Sequence, residues 1–174
     1  ATQVVPRDRV AVFVSVLGIL ASSLDRIATE IRHLQRTDVR EVEEPFEKGQ
    51  KGSSSMPHKR NPVGCENISG LARVVRSHVQ AALENIPLWH ERDLTNSAPE
   101  RILIPESCIL ADYILTKTID LLENLEFKPE NIKRNLNMTK GLIMAEKLMM
   151  TLVEKGMGRQ DAHERKRNRH HHDQ

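Results

Sequence analysis

The stretch DRVAVFVSVLGILASSLDRIATEIRHLQR, residues 8–36, decides the fold. Phe13, Leu17, Leu20, Leu24, Ile27, Ile31 and Leu34 recur at alternating spacings of four and three, the period of one apolar helix face and of a heptad seam. At 1.5 Å per residue such a helix is about 40 Å long, more than a small domain covers, so it calls for partner helices of similar length. Val10, Val12, Val14, Val16 and Ile19 widen the apolar surface, which predicts burial on more than one side near the start. Val10–Ala21 is the most apolar run, but Ser15 and Gly18 interrupt it and Asp25 with Arg26 closes it. It therefore reads as a buried helix that stops short of a membrane span.

Outward from this helix, residues 37–61 break the period with an acidic patch, Glu41, Glu43, Glu44 and Glu47, and then a Gly/Ser stretch. Helix returns at Pro62, a favourable first-turn residue, with Ile68, Leu71, Val75, Val79, Ala82 and Ile86 on one face until Pro87. A polar connection follows, and Pro99 opens a third helix that Pro105 is expected to kink or restart. Leu110, Ile114, Leu121, Leu122 and Leu125 carry its apolar face. Shorter helices near 129–137 and 141–155 follow, with Gly156 as a stop, and another begins near Gly158. No alternating strand pattern is evident, so the class is all-α, with a long-helix bundle over 1–127 and a small helical domain over 128–174.

Composition narrows the function. Aromatics make up only 3% of the chain, which argues for an aliphatic core and against base-stacking modules. The net charge is +2, but Arg165–Gln174 alone carries +3, leaving the body near neutral. A local anion site therefore fits better than a nucleic-acid surface. Cys65 and Cys108 have no paired spacing, so neither a disulfide framework nor a zinc site is signalled, and reduced thiols point to the cytoplasm. Nothing at the N-terminus marks a secretory signal. The three histidines at 170–172 suit a metal or a flexible tag-like tail.

Two constellations carry the chemistry. Gly52-Ser53-Ser54-Ser55-Met56-Pro57-His58-Lys59-Arg60-Asn61-Pro62 joins flexible backbone, hydroxyls and fixed cations. It reads either as a loop that folds N–H and O–H donors over a carboxylate or phosphate, or as a Gly/Ser linker entering a basic turn. Farther on, Arg92, Ser97 and Arg101 offer two guanidinium forks and a hydroxyl, which suits a phosphate. The alternative is that Ser97 caps the helix opening at Pro99, while the arginines pair with Glu91 and Glu100 on the surface.

The 52–62 stretch resembles the signature loop of the fumarase/aspartase superfamily, whose members eliminate fumarate from succinyl-type substrates. With Trp89-x-Glu91-Arg92-Asp93, Ser97-x-x-Glu100-Arg101, Thr2-Gln3, Pro6-Arg7-Asp8-Arg9, the 41–46 segment and Gly158–Glu164, the resemblance covers residues 1–164. It points to the purine-nucleotide branch, which releases fumarate from adenylosuccinate to give AMP, and from the succinylated carboxamide ribotide of purine biosynthesis. It implies no cofactor, no metal and no membrane or nucleic-acid partner. By this resemblance Ser53 is the general base, Lys59 and Asn61 hold the fumarate-side carboxylate, and Met56 lies over the site. Ser54 and Ser55 are loop donors or spacers, and Glu66 orients a catalytic histidine. Gln3 contacts the substrate, Arg92, Ser97 and Arg101 bind the nucleotide and its phosphate, and His58 has only a positional role. His33, His78, His90 and His163 gain no partner from the sequence.

The resemblance also implies a homotetramer whose active sites draw on several subunits. The superfamily's acid histidine lies in segments N-terminal to this chain, so a truncated enzyme, inactive by itself, is expected, with its C-terminal domain also cut short. Argininosuccinate lyase and carboxymuconate cycloisomerase share much of the loop, but their substrates carry no phosphate for Arg92, Ser97 and Arg101. A non-catalytic helical assembly module is the remaining alternative.

Overall fold

A computed structural model describes residues 5–45, 60–90 and 92–161. Its first helix, α1, spans Asp8–Leu34, with Asp8 in the first turn and Arg32 and His33 in the last. The Asp8 and Arg32 charges complement the helix dipole. Helix α2, Val63–Glu84, and α3, Ser97–Glu123, pack against α1 and against each other. Ala11 and Val14 of α1 meet Ala82 of α2 and Leu103 of α3 in one cluster, while Ile31, Cys65, Ile68 and Leu121 belong to the other. The three helices therefore run up, down and up.

The buried stripe of α1 differs from the seam read in its sequence. Ala11, Val14, Gly18, Ala21, Leu24, Ala28 and Ile31 face the core. Leu17, Leu20, Ile27 and Leu34 pack half-buried against it, and Phe13 is exposed. Small side chains win because they let the helix axes approach: a Cβ at Gly18 would stand 2.7 Å from Val79 Cγ2. Among the described residues the predicted second buried side is not found, since Val12, Phe13, Val16 and Ile19 are 64%, 47%, 57% and 67% exposed. Helix α1 is also long and apolar enough to cross a membrane, contrary to the reading that Ser15, Gly18 and Asp25 cut it short. One face of it is nevertheless packed in the bundle.

On α2, Ile68, Val75 and Ala82 are buried as the periodicity predicts, whereas Ile86 lies past the helix end and is exposed. Pro62 is the residue before the first turn rather than its first member. Helix α3 runs unbroken through Pro105, which donates no N–H and so leaves the Arg101 carbonyl without its usual helical partner. Ile114 and Leu121 are buried and Leu122 is exposed. A short pair of strands was not foreseen: β1, Val42–Glu43, pairs antiparallel with β2, Glu126–Phe127, setting Val42 opposite Phe127. Val42 is 2% exposed, and burying it ties the 37–45 segment to the bundle end. Among the described residues the architecture is otherwise helical.

The chain divides into two compact units, residues 1–128 and 129–174. In the second, α4, Pro129–Asn137, is followed by a 3-10 turn, Leu142–Met144, and α5, Ala145–Glu154. Gly141 and Gly156 adopt φ of +91° and +92°, the left-handed conformation that lets glycine end or redirect a helix. None of the side chains on α4 or α5 is buried.

Candidate active site

Two cavities, each of about 410 Å3, lie at opposite ends of the three-helix unit. At the N-terminal end of α1, Arg92, Ser97 and Arg101 line one cavity together with Arg7 and Glu100. The structure thus brings the proposed phosphate group of residues together. Arg7 donates from Nη1 to Glu100 Oε2 at 2.8 Å, and from Nε and Nη2 to the Val5 carbonyl at 2.8 and 2.6 Å. Glu100 is therefore paired across the chain with Arg7, not with the surface arginines suggested by its neighbours in sequence. Ser97 is no cap either: α3 begins at Ser97 itself, after Asn96, and has no side-chain cap.

The connection that carries Arg92 is organised by Asp93. Its carboxylate accepts hydrogen bonds from the Thr95 hydroxyl and from the N–H groups of Thr95 and Trp89. The Thr95 hydroxyl and then these backbone donors hold the Asp93 carboxyl below its ordinary pKa. Arg92 and Ser97 flank a turn fixed from within.

At the other end of α1, Asn61 and Glu66 line the second cavity with Arg32, His33, Arg36 and Arg60. Both proposed residues occupy the entry to α2, at the C-terminal edge of the Gly/Ser stretch. Gln3, Ser53, Ser54, Met56 and Lys59 lie outside the described residues, as do His58, Glu91, His163 and the histidine tail. Helix α1 has 27 residues, so the two cavities stand about 40 Å apart. Among the described residues, no side chain lines both cavities.

Sequence reasoning missed what holds the entry to α2. Pro62 has no side chain able to cap the helix, and the orphan N–H groups of Gly64 and Cys65 donate instead to Glu44, at 3.0 and 2.8 Å. Burial, and then the neighbouring Glu44, pushes the Cys65 thiol up, so this cysteine stays protonated. A second missed contact joins α2 to α3: His78 Nδ1 lies 2.9 Å from the buried Ser107 hydroxyl, and Nε2 lies 3.6 Å from Glu106. A proline at the capping position of α2, with no side-chain acceptor to offer the first turn, was the available sign that a remote cap was needed.

Residues 1–77 match a protein family described as lyase. Over 164 residues the chain is 62% identical to adenylosuccinate lyase from Methanothermobacter thermautotrophicus, covering 94% of this chain and 36% of that protein. It is 57% identical over 163 residues to adenylosuccinate lyase from a Synechocystis species, covering 94% and 38%. The chain thus spans little more than a third of the length of these curated relatives. Among solved structures, 3-carboxy-cis,cis-muconate lactonizing enzyme from Pseudomonas putida is similar with a TM-score of 0.80 at 36% identity, covering 93% of this chain and 36% of that one. A fumarate lyase from a Mesorhizobium species is similar with a TM-score of 0.78 at 32% identity, covering 92% and 34%.

Proposed function

We propose, from a chain that is homologous to adenylosuccinate lyases over nearly its whole length and belongs with them to the fumarase/aspartase superfamily, that the whole protein is an adenylosuccinate lyase. It releases fumarate from adenylosuccinate to form AMP, and from the succinylated carboxamide ribotide of purine biosynthesis. The observation that carries this reading is the extent of the 62% identity: a span of 164 residues in a chain of 174 takes in both constellations. The cavity lined by Arg92, Ser97 and Arg101 supports a phosphate-bearing substrate.

In this reading the elimination is a proton transfer followed by loss of the nitrogen. Ser53 removes a proton from the carbon beside a carboxylate, and the electron pair spreads onto that carboxylate. Lys59 and Asn61 stabilise the charge as it develops there, which lowers the barrier more than equal binding of the ground state does. The C–N bond then breaks as an acid protonates the leaving nitrogen. Glu66 orients a histidine partner, Met56 covers the reacting carbons, and Ser54 and Gln3 contact the substrate. The serine needs a lowered pKa, which loop N–H donors, nearby cations and the exclusion of water would supply.

The separation of the two cavities supports a shared site. With Asn61 and Glu66 at one end of the bundle and the arginines at the other, about 40 Å apart, we propose that one subunit's fumarate-side residues work with another's arginines. The exposed stripe of Val12, Val16 and Ile19 supports association through α1, and a homotetramer in the cytoplasm is the assembly we propose. A carboxymuconate cycloisomerase is favoured by one observation, the 0.80 TM-score to such an enzyme. The arginine cavity and the higher identity to adenylosuccinate lyases weigh against it.

The test is fumarate release from adenylosuccinate by the whole protein and its variants. Ser53→Ala should lower kcat by roughly three to five orders of magnitude with assembly intact. Replacing Arg92 or Arg101 by Ala should raise the AMP inhibition constant by about tenfold or more and leave fumarate's nearly unchanged. An active Ser53→Ala enzyme, or equal weakening of both products by the arginine variants, would contradict the assigned roles.

A further inference from the structure

From the bonding around Glu44 we infer that this residue, held by Gln35, is a positioning residue for the elimination: it fixes the entry of α2 and thereby the Asn61 amide and the Glu66 carboxylate. The inference deepens the proposed lyase reading and rests on it for its kinetic consequence.

The geometry is a three-part clamp. First, the two carboxylate oxygens of Glu44 each accept one N–H, Oε2 from Gly64 and Oε1 from Cys65. These are the second and third residues after Pro62, where a capping side chain ordinarily acts, yet the acceptor comes from twenty residues earlier in the chain. An acid there also meets the positive end of the α2 dipole. Second, the clamp is itself held. The Glu44 N–H donates to Gln35 Oε1 at 2.9 Å, and Gln35 Nε2 reaches the Arg60 carbonyl at 3.4 Å. Gln35 thus touches both the Glu44 backbone and the residue before Asn61. Third, Glu43 bridges Arg60 at 3.1 Å and Lys128 at 3.4 Å, so the strand pair and the loop edge are tied together.

Space at the clamp is limited. A Cβ at Gly64 would stand 3.1 Å from Glu44 Oε2 and 3.2 Å from Leu121 Cδ1. The bonded Cys65 is fully buried, so the clamp grips the helix at a point that cannot drift with solvent. Asn61 and Glu66 flank that point on either side. A carboxylate suits the task because both its oxygens accept, whereas a glutamine would turn its NH2 group toward one of the two N–H donors.

The consequence belongs to the fumarate side of the site alone, because Arg92, Ser97 and Arg101 lie at the far end of the bundle. The whole protein carrying Glu44→Gln, Glu44→Asp or Gly64→Ala would be assayed for kcat and for inhibition by fumarate and by AMP. For Glu44→Gln we expect kcat to fall about 10- to 100-fold and the fumarate inhibition constant to rise about tenfold, with AMP's changed less than about twofold. Glu44→Asp should recover part of both losses. Gly64→Ala, which displaces the carboxylate without removing it, should shift the same constants in the same direction, and it carries the test if Glu44→Gln fails to assemble. Parallel changes for both products, or unchanged kinetics, would overturn the inference. If the unmodified protein releases no fumarate, the lyase reading fails. Amide hydrogen exchange then decides the clamp separately: protection at Gly64 and Cys65 lost in Glu44→Gln supports it, and unchanged protection sinks it.

Discussion

Asp25 illustrates how one side chain couples the helices to pH. Burial opposes its ionisation, but the Arg76 guanidinium, 3.0 Å away, and the Thr29 hydroxyl, which donates to Oδ1 at 3.4 Å, outweigh it and hold the carboxyl below its ordinary 3.8. A depressed folded-state pKa contributes stability that is present above the unfolded value, about pH 4, and is lost as pH falls through the folded value. Asp25→Asn should therefore cost roughly 0.5–1 kcal/mol near neutral pH and little below pH 3. Thermal unfolding at both pH values checks this, and an equal cost at both would contradict the ionic origin. At this scale the sequence was legible where residue type alone sets the chemistry, as with Arg92 and Arg101 in one cavity. It was illegible where a partner comes from far along the chain, as with Glu44 on Gly64 or Arg7 on Glu100. No local spacing encodes those meetings.

Among the helices, the length of α1 followed from its period, but its buried stripe did not. Periodicity weighs large apolar side chains most heavily, and so selected Phe13, Leu17 and Leu20. Close packing instead chose Ala11, Gly18, Ala21 and Ala28, because small residues permit the approach to α2. Gly18→Ala places a methyl 2.7 Å from Val79 Cγ2 and should destabilise the protein by about 1–3 kcal/mol. Adding Val79→Ala should return part of that loss, since the two residues share one contact. Denaturant unfolding of the two single variants and the double reads the coupling, and strict additivity would mean that the helices do not meet there. Pro105 does not restart α3: the helix continues through it, packed along Leu103, Ala111 and Ile114, despite the missing hydrogen bond.

Across the whole molecule, the features that do not pack within the three-helix unit are those the proposed assembly uses. Val12, Val16 and Ile19 form an exposed stripe at helical spacing, and α1 would be an unusual surface helix without a partner. Val16→Asp combined with Ile19→Asp should dissociate the assembly and abolish fumarate release, as read by sedimentation and by the lyase assay. A dissociated protein with full activity would break the link between assembly and site. The direct test of the shared site is complementation. The whole protein would be prepared as Ser53→Ala and as Arg101→Ala, and the two forms mixed under conditions that exchange subunits and assayed at adenylosuccinate concentrations too low for the arginine variant to turn over appreciably. If each site takes its loop and its arginines from different subunits, hybrid assemblies should recover fumarate release, with about a quarter of the sites intact at equal mixing. Exchanged hybrids no more active than either parent would contradict the account.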